Sequence, residues 1–473
     1  MNDNKKHQLV IIGAGPGGYR AAFMAADLGL QVTLIDPEIN PGGVCLYRGC
    51  IPTKALLHLS KIKTDAEEAD EMGLHFDSPK IDIKKVANWK NKVVKKLTGG
   101  LGQLVKAHKI NYVKAYARFV DSETLKLKHT NEKTEQIKFE KAIIATGVQP
   151  IEIQGMEFDQ PGIMNSAESL ELKEVPEKLL VVGGGYIGLE MATIYHALGA
   201  KVSIAELTGD FMPGMDKDLI STYKKSSEDM FTDIFLETKV TKIEKHGKSK
   251  QVTFEGKDGK TFKKQYNKVL IAVGQRPDTE NLGTKNAGVE LDKKGFIKVN
   301  DQQQTSAKHI FAIGDIAGPP LLAHKASYEG KIAVEVIAGK KSINDAKVVP
   351  AVIYTEPEIA TCGLSEQEAK DKGIDFKVAK FPWPASGRAV AMNAENGFTK
   401  LLVNPKNERI LGAGIVGKNA GDIIPELALA IEMAATAEDL ALTIHPHPTL
   451  SETIMEAAEL FYGHPAHTFV KKK

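Results

Sequence analysis

The sequence predicts an α/β fold built from two Rossmann-like units, followed by a separate α+β domain. Three observations predict it. Two glycine fingerprints recur at a constant offset, each between an apolar strand-like run and a small-residue helix. Each unit then closes on an apolar run ending in a turn, AIIATG at 142–147 and VLIAVGQRPD at 269–278. After about residue 348 the texture changes to short alternating strands and isolated helices. At roughly 150 residues per domain, a 473-residue chain suits about three domains.

The first element is QLVII (8–12), followed by GAGPGG and RAAFMAADLGL. That order reads strand, glycine turn, helix, with Gly13, Gly15 and Gly18 in the three glycine positions of a dinucleotide fingerprint. The first glycine permits the tight turn, the second lets backbone approach a pyrophosphate, and the third lets helix and strand pack closely. The next run, VTLID, ends at Asp36, an acid placed to accept hydrogen bonds from a ribose. One such motif is weak evidence. Here KLLVVGGGYIGLEMATIYHALGAKVSIAE repeats it with Gly183, Gly185, Gly188 and Glu206, each 170 residues after its counterpart. Leu28-Gly29 and Leu198-Gly199 keep the same register at the helix ends. Two nucleotide-binding βαβ units follow. A carboxylate at Glu206 favours a free ribose 2′-hydroxyl and repels a 2′-phosphate, so the second site is expected to prefer NAD over NADP. Two dinucleotides in one chain suggest a held flavin paired with an exchanging nicotinamide.

Between the units, residues 54–110 show helical periodicity with many lysines, read as a solvated basic face. HIFAIGD (309–315) is a third apolar strand stopped at Gly314-Asp315. Beyond 348, KVAKFPW and FTKLLVNPKNERILGAGIV read as strands joined at NPKN, with helices expected at 422–436 and 449–460.

Composition narrows the function. Lys and Arg number 62 against 60 Asp and Glu, which leaves no electrostatic footprint for nucleic acid or an anionic membrane. No run of 18 apolar residues is present to span a bilayer, and MNDNKKH offers no secretory leader. Three cysteines fit a reducing, cytoplasmic compartment.

Two of those cysteines, Cys45 and Cys50, lie in GGVCLYRGCIPTK. Five helical steps rise about 7.5 Å, more than a relaxed disulfide prefers, so a reactive pair needs a distorted turn at a helix start. Gly42, Gly43, Gly49 and Pro52 make that turn accessible, and a thiolate at a helix N-terminus gains from its dipole. The alternatives are two unpaired buried cysteines or half of a zinc site. No second Cys/His cluster completes a tetrahedral set, and no metal site is expected. Near the C-terminus, HPHPTLSE (445–452) supports two readings that can hold together. Thr449 to Glu452 match a capping box, and a histidine–carboxylate pair can serve a thiol as general base. Cys362 has no partner and reads as a core cysteine.

Taken together, GAGPGG, GGVCLYRGCIPTKALLH, ATG, GGGYIGLE, VGQRP, AIGD and HPHPTLSE resemble, in order and over essentially the whole chain, the class I pyridine nucleotide–disulfide oxidoreductases, and within them the branch that oxidises dihydrolipoyl groups. The resemblance implies an FAD-binding part (1–148), an NAD-binding part (149–275), a central segment returning to the FAD part (276–347) and a C-terminal dimerisation domain (348–473). FAD would be held by Gly13, Gly15, Gly18, Asp36, Lys54, Thr146, Gly147, Gly314, Asp315 and Ala323. NAD would be held by Gly183, Gly185, Gly188, Glu190, Glu206 and Gly274, with Lys54 and Glu190 a charged pair beside the flavin. Cys45 would exchange with substrate, and Cys50 would face the flavin. His447 would be the base, oriented by Glu452, both reaching the site from the partner subunit of a homodimer. The implied relay runs from a dihydrolipoyl dithiol through the cysteine pair and FAD to NAD⁺. Tyr186 would either lie over the flavin or pack on the sheet. No lipoyl-type domain is expected before residue 8, so the lipoyl group would come from a 2-oxoacid dehydrogenase complex or a glycine-cleavage carrier. Glutathione-type reductases would be expected to carry basic residues where this chain has Glu206-Leu207-Thr208, and mercuric reductases further cysteines after Cys362. A flavin-carrying structural subunit or a quinone-type electron carrier would lack the cysteine pair and the His447–Glu452 pair.

Overall fold

The computed structural model describes residues 6–77 and 79–469. Strand β1 (His7–Ile12) lies centrally in the first sheet, parallel to β2 (Val32–Ile35) on one side and to the strand Thr134–Ile144 on the other. Leu9, Val10 and Ile11 are fully buried, as a parallel strand covered on both faces requires. Asn111–Val113 extends the sheet beyond β2. Ile310–Ala312 returns some 170 residues later to pair with Thr134–Ile144, so HIFAIGD completes the first sheet. Helix α1 (Pro16–Asp27) covers it with an alanine face, Ala21, Ala22 and Ala25.

The second unit repeats this plan. Lys178–Val182 sits between Lys201–Ala205 and Lys268–Ile271, all parallel, and a three-stranded antiparallel sheet over residues 238–266 packs against it. The chain enters and leaves this unit side by side, because Val148–Pro150 pairs antiparallel with Gln275–Pro277. Beyond residue 350 stands a five-stranded antiparallel sheet with helices Ala420–Glu432 and Glu452–Tyr462 packed on it. Cys362 is buried in that core, and burial pushes its thiol up to about 12.

Three more helices link the units: α2 (Gly43–Arg48), α3 (Cys50–Glu68) and α4 (Ile83–Ala107). The basic stripe lies on α3 and α4, with one correction. Lys90 is not solvated; it is buried and donates to the carbonyl of Leu170, and burial lowers its pKa. The units share one apolar core, in which Leu56 and Leu57 of α3 meet Leu189 and Met191 of the second unit and Ile359 and Phe398 of the third. Each such side chain contributes about 1.5–3 kcal/mol on burial. An ion cluster adds a second tie. Lys400, fully buried, donates to Asp216 and Asp218 of the second unit at 2.7 Å each and to Glu366 at 3.0 Å. Burial opposes the charge, but the carboxylates raise its pKa. Lys400→Met strands three carboxylates around an apolar side chain, and we expect it to destabilise the fold by about 3 kcal/mol. Thermal unfolding checks this. The midpoint should recover when Asp216 and Asp218 are also changed to Asn, and no loss in the single variant would refute the coupling.

Candidate active site

The first glycine turn is assembled by close approach. Gly13 has φ +97°, and a Cβ on Gly18 would lie 1.9 Å from the Gly13 carbonyl oxygen. The second turn repeats this, with Gly183 at φ +110° and a Gly188 Cβ 2.1 Å from the Gly183 carbonyl oxygen. Gly15 and Gly185 differ from these. A Cβ at either meets nothing within 4 Å, so the middle glycine of each turn faces open space. The acids repeat as well. Asp36 accepts from the backbone N–H of Ala14 at 2.7 Å and of Glu38 at 2.9 Å. Glu206 accepts from Gly184 N–H at 2.6 Å and from both Thr208 donors at 2.8 Å. Each carboxylate therefore braces its own glycine turn at the strand end, where the fingerprint places the ribose. Burial raises the Asp36 carboxyl, against those two N–H groups.

A cleft of about 830 Å³ runs from the first turn to the second unit. It brings together Gly13, Gly15, Asp36, Cys45, Cys50, Lys54, Thr146, Gly147, Gly314, Asp315 and Ala323, with Tyr186 and Glu190 across from them. Gly18 lies behind the turn, and Gly183, Gly185, Gly188 and Glu206 form the second turn outside the cleft lining. Gly274, at φ +129°, gives its carbonyl to Ile151 N–H where the chain enters the second unit. The cleft lining fits a dinucleotide. The Gly15 backbone is bare, and the Thr146 hydroxyl is buried without a hydrogen-bond partner. Burial also pushes Asp315 up to about 6, with Lys325 pulling the other way.

Cys45 is on α2 and Cys50 is the first residue of α3, so the helix breaks between them at Gly49. This is the distorted turn that the pair requires. A Cβ on Gly49 would stand 2.9 Å from the Val44 carbonyl oxygen. Gly43, at φ +56°, presses on the first turn, its Cβ position 2.6 Å from Gly15 Cα. Gly43→Ala should therefore push α2 off the fingerprint and weaken flavin retention. The ratio of flavin to protein absorbance on purification checks it, and a full complement of flavin would refute it.

The two thiols are hydrogen-bonded and share their charge unequally. Cys50 is lowered to about 7, first by the hydrogen bond from Cys45, then by Lys54 against the effect of burial. Cys45 is raised by that hydrogen bond and by burial. Lys54 lies one helical turn beyond Cys50 and places Nζ 2.9 Å from both oxygens of Glu190, which is nearly buried. Sequence reasoning missed what completes this pair. Tyr354 gives its N–H to Glu190 at 3.1 Å, and its ring lies 4.4 Å from Lys54 Nζ. It also missed Glu329, which accepts from Gly314 N–H at 2.6 Å while paired with Lys325, although that pair's i,i+4 spacing after AIGD was a visible signal. Tyr186 does not pack into the sheet; it is 42% exposed and faces the cleft.

The histidines separate cleanly. His445, its side chain only 4% exposed, is tied to Glu426 at 2.8 Å and to the Thr443 carbonyl. His447 is 75% exposed, with Nδ1 2.8 Å from Glu452 Oε1. Glu452 accepting at Nδ1 leaves Nε2 free as a base. The expected capping box is only half formed. Thr449 N–H does donate to Glu452, but the Thr449 hydroxyl turns to Pro446 and Ser451, and the helix begins at Glu452 after Ser451. Glu452 divides its oxygens, Oε1 on His447 Nδ1 and Oε2 on the Thr449 N–H. This pair stands outside the lining of the chain's own cleft.

Comparison with known proteins agrees in both halves of the chain. The dihydrolipoyl dehydrogenase of Vibrio cholerae serotype O1 is 48% identical over 463 residues, 98% of this chain and 97% of the relative. That of Geobacillus stearothermophilus is 46% identical over 464 residues, covering 98% of each. Among solved structures, LpdA from Mycobacterium tuberculosis aligns with a TM-score of 0.89 at 25% identity, over 96% of this chain and 99% of that one. The HOCl-induced flavoprotein disulfide reductase RclA from Escherichia coli aligns at 0.83 and 29% identity, over 94% of this chain and 98% of that one. Residues 7–330 match the model of the pyridine nucleotide-disulphide oxidoreductases and residues 349–458 that family's dimerisation domain. With paired glycine turns, a thiol pair between them and both family models matched in order, the chain belongs to the pyridine nucleotide-disulphide oxidoreductases.

Proposed function

We propose that the protein is a homodimeric, NAD-dependent dihydrolipoyl dehydrogenase that oxidises protein-bound dihydrolipoyl groups and produces NADH. The observation that carries this reading is the Cys45–Cys50 pair, set at a helix break in the cleft beside Lys54–Glu190. Relatives that carry this name, at 46–48% identity over nearly their whole length, support it. The division at 1–148, 149–275, 276–347 and 348–473 assigns the cleft to FAD and the second turn to NAD.

In the FAD part, Gly13, Gly15 and Gly18 shape the turn, and Asp36, Thr146, Gly147, Asp315 and the Gly314–Ala323 segment supply polar contacts. In the NAD part, Gly183, Gly185, Gly188 and Glu206 do the same, with Glu190 and Gly274 bordering the site. Bound FAD supplies the two-electron carrier between the cysteine pair and NAD⁺.

The chain's own residues handle the thiol chemistry. A dihydrolipoyl thiol gives its proton to Nε2 of His447 from the partner protomer, and the thiolate attacks Cys45 in the Cys45–Cys50 disulfide. The S–S bond breaks, and Cys50 leaves as a thiolate that Lys54 and the α3 N-terminus stabilise. The second dihydrolipoyl thiol then attacks the mixed disulfide, its proton passing to the Cys45 sulfur as that sulfur leaves. Lipoyl disulfide departs, Cys45 is freed, and the pair holds two electrons.

Lipoyl domains of a 2-oxoacid dehydrogenase complex or a glycine-cleavage carrier supply the substrate, and the cytoplasm is the compartment. No helix among the described residues is long and apolar enough to cross a membrane. The test is anaerobic: dihydrolipoamide is added, flavin absorbance followed, then NAD⁺ or NADP⁺ added separately. A long-wavelength thiolate–flavin band discharged by NAD⁺ alone is the expected result. A flavin that dihydrolipoamide leaves oxidised, but a nicotinamide donor bleaches, would overturn the substrate.

A further inference from the structure

Helix α4 carries seven lysines and no acidic residue, in a chain whose charges otherwise nearly balance. Lys90 turns inward, and the other six lysines lie exposed along the outer face. Only Lys85 has a carboxylate near it, Asp82 at 3.8 Å. Lys84, Lys92, Lys95, Lys96 and Lys106 have no ion-pair partner among the described residues. The pattern works against the helix itself. Lys92 stands at i,i+3 and i,i+4 from Lys95 and Lys96, spacings at which like charges repel. Lys84 and Lys85 sit at the positive end of the helix dipole. Among the described residues only Asp82 stands near these charges, which leaves the face open to an acidic partner.

Two further features locate that complement. Trp89 and Leu97, 39% and 41% exposed, interrupt the lysines with apolar surface. The inner side of the same helix packs on the segment that carries Cys45. Gly102 is pressed against Asn40, and Thr98 against Gly42. We propose that this face of α4 docks the acidic surface of the protein that carries the dithiol substrate, an inference that rests on the dihydrolipoyl oxidation proposed above.

Steering by a basic rim concentrates an acidic carrier beside its reaction site, while an aromatic and an aliphatic side chain provide desolvated anchors. The helix is about 37 Å long, enough to meet one face of a small domain. A membrane is a poorer occupant, because Val86, Val94 and Val105 point into the core and leave no apolar stripe to insert. A second copy meeting α4 on α4 would set lysines against lysines.

The test compares three reduced substrates: free dihydrolipoamide, a lipoyl-lysyl peptide flanked by six glutamates, and the same peptide flanked by glutamines. At low salt the holoenzyme should show a KM for the acidic peptide about tenfold below that for the neutral one, a gap that closes at high salt. The triple variant Lys92→Glu/Lys95→Glu/Lys96→Glu should erase or invert the gap and leave turnover of free dihydrolipoamide within about twofold. Equal KM values for the two peptides on the unaltered enzyme would overturn docking, whatever the variant does. So would a variant that binds vesicles containing phosphatidylserine less well while its peptide preference is unchanged. Failure to oxidise free dihydrolipoamide would instead remove the activity on which the inference rests.

Discussion

Replacing Cys50 with serine is expected to lower dihydrolipoamide-dependent NAD⁺ reduction by at least about 10⁴-fold while flavin stays bound. The reason is stoichiometric. Without Cys50 there is no disulfide for the substrate thiolate to break, and no second sulfur to leave. The first glycine turn, Asp36 and Thr146, which line the cleft, are untouched. Cys45→Ser should stop the same turnover, but it leaves Cys50 at the α3 N-terminus beside Lys54. Turnover measured with dithiol, set against flavin absorbance, separates loss of chemistry from loss of cofactor. Dithiol turnover surviving in either variant would refute the relay. The same geometry sets a pH dependence. In the reduced protein, alkylation of Cys50 should rise through a midpoint of about 7, because its charged form is favoured. Lys54→Met removes a positive charge and should move that midpoint upward, while the hydrogen bond from Cys45 still holds it below an ordinary thiol. An unchanged midpoint would exclude Lys54 as a stabiliser of the thiolate.

His447→Gln carries the second large effect, a fall of about 10²–10⁴-fold in dithiol turnover. Glu452 accepts at Nδ1, so glutamine loses the base at Nε2 without losing a polar side chain. Glu452→Gln should cost less, because it weakens orientation and leaves the imidazole in place. Complementation tests whether the site is shared. Co-expressed Cys50→Ser and His447→Gln chains form mixed dimers in which one site has both defects and the other has neither. About a quarter of wild-type activity should return, since half the dimers are mixed and each keeps one intact site. No recovery would mean that His447 serves its own chain.

Much of this was legible in the chain itself, for identifiable reasons. Backbone turns that tolerate only glycine leave a fixed spacing. Gly13, Gly15 and Gly18 and their partners 170 residues later therefore announce two units, and a Cβ at Gly18 would collide with Gly13. Strands buried on both faces read as unbroken apolar runs, which is why LVII and AIIATG were visible. The cysteine pair announced a helix break because five regular steps separate the sulfurs too far. Local rules failed where a distant group decided. Thr449 looked like a helix cap, yet its hydroxyl was claimed by Pro446 and Ser451. Lys90 looked solvated, yet the Leu170 carbonyl drew it inward.

What the sequence determined by itself was the chemistry available: two dinucleotide turns, a reactive thiol pair, a histidine with its carboxylate, and their order along the chain. Only the tertiary structure decided where that chemistry meets. Glu190 reaches Lys54 across 136 positions and is locked there by Tyr354, 164 positions further on. Lys400 is gripped by acids from another unit. His447 stands exposed and outside the lining of its own chain's cleft. Glycine spacing and strand patterning are enforced by backbone sterics within a few residues, so they are written locally. Ion pairs and shared sites depend on which surfaces pack together, and no local pattern specifies that.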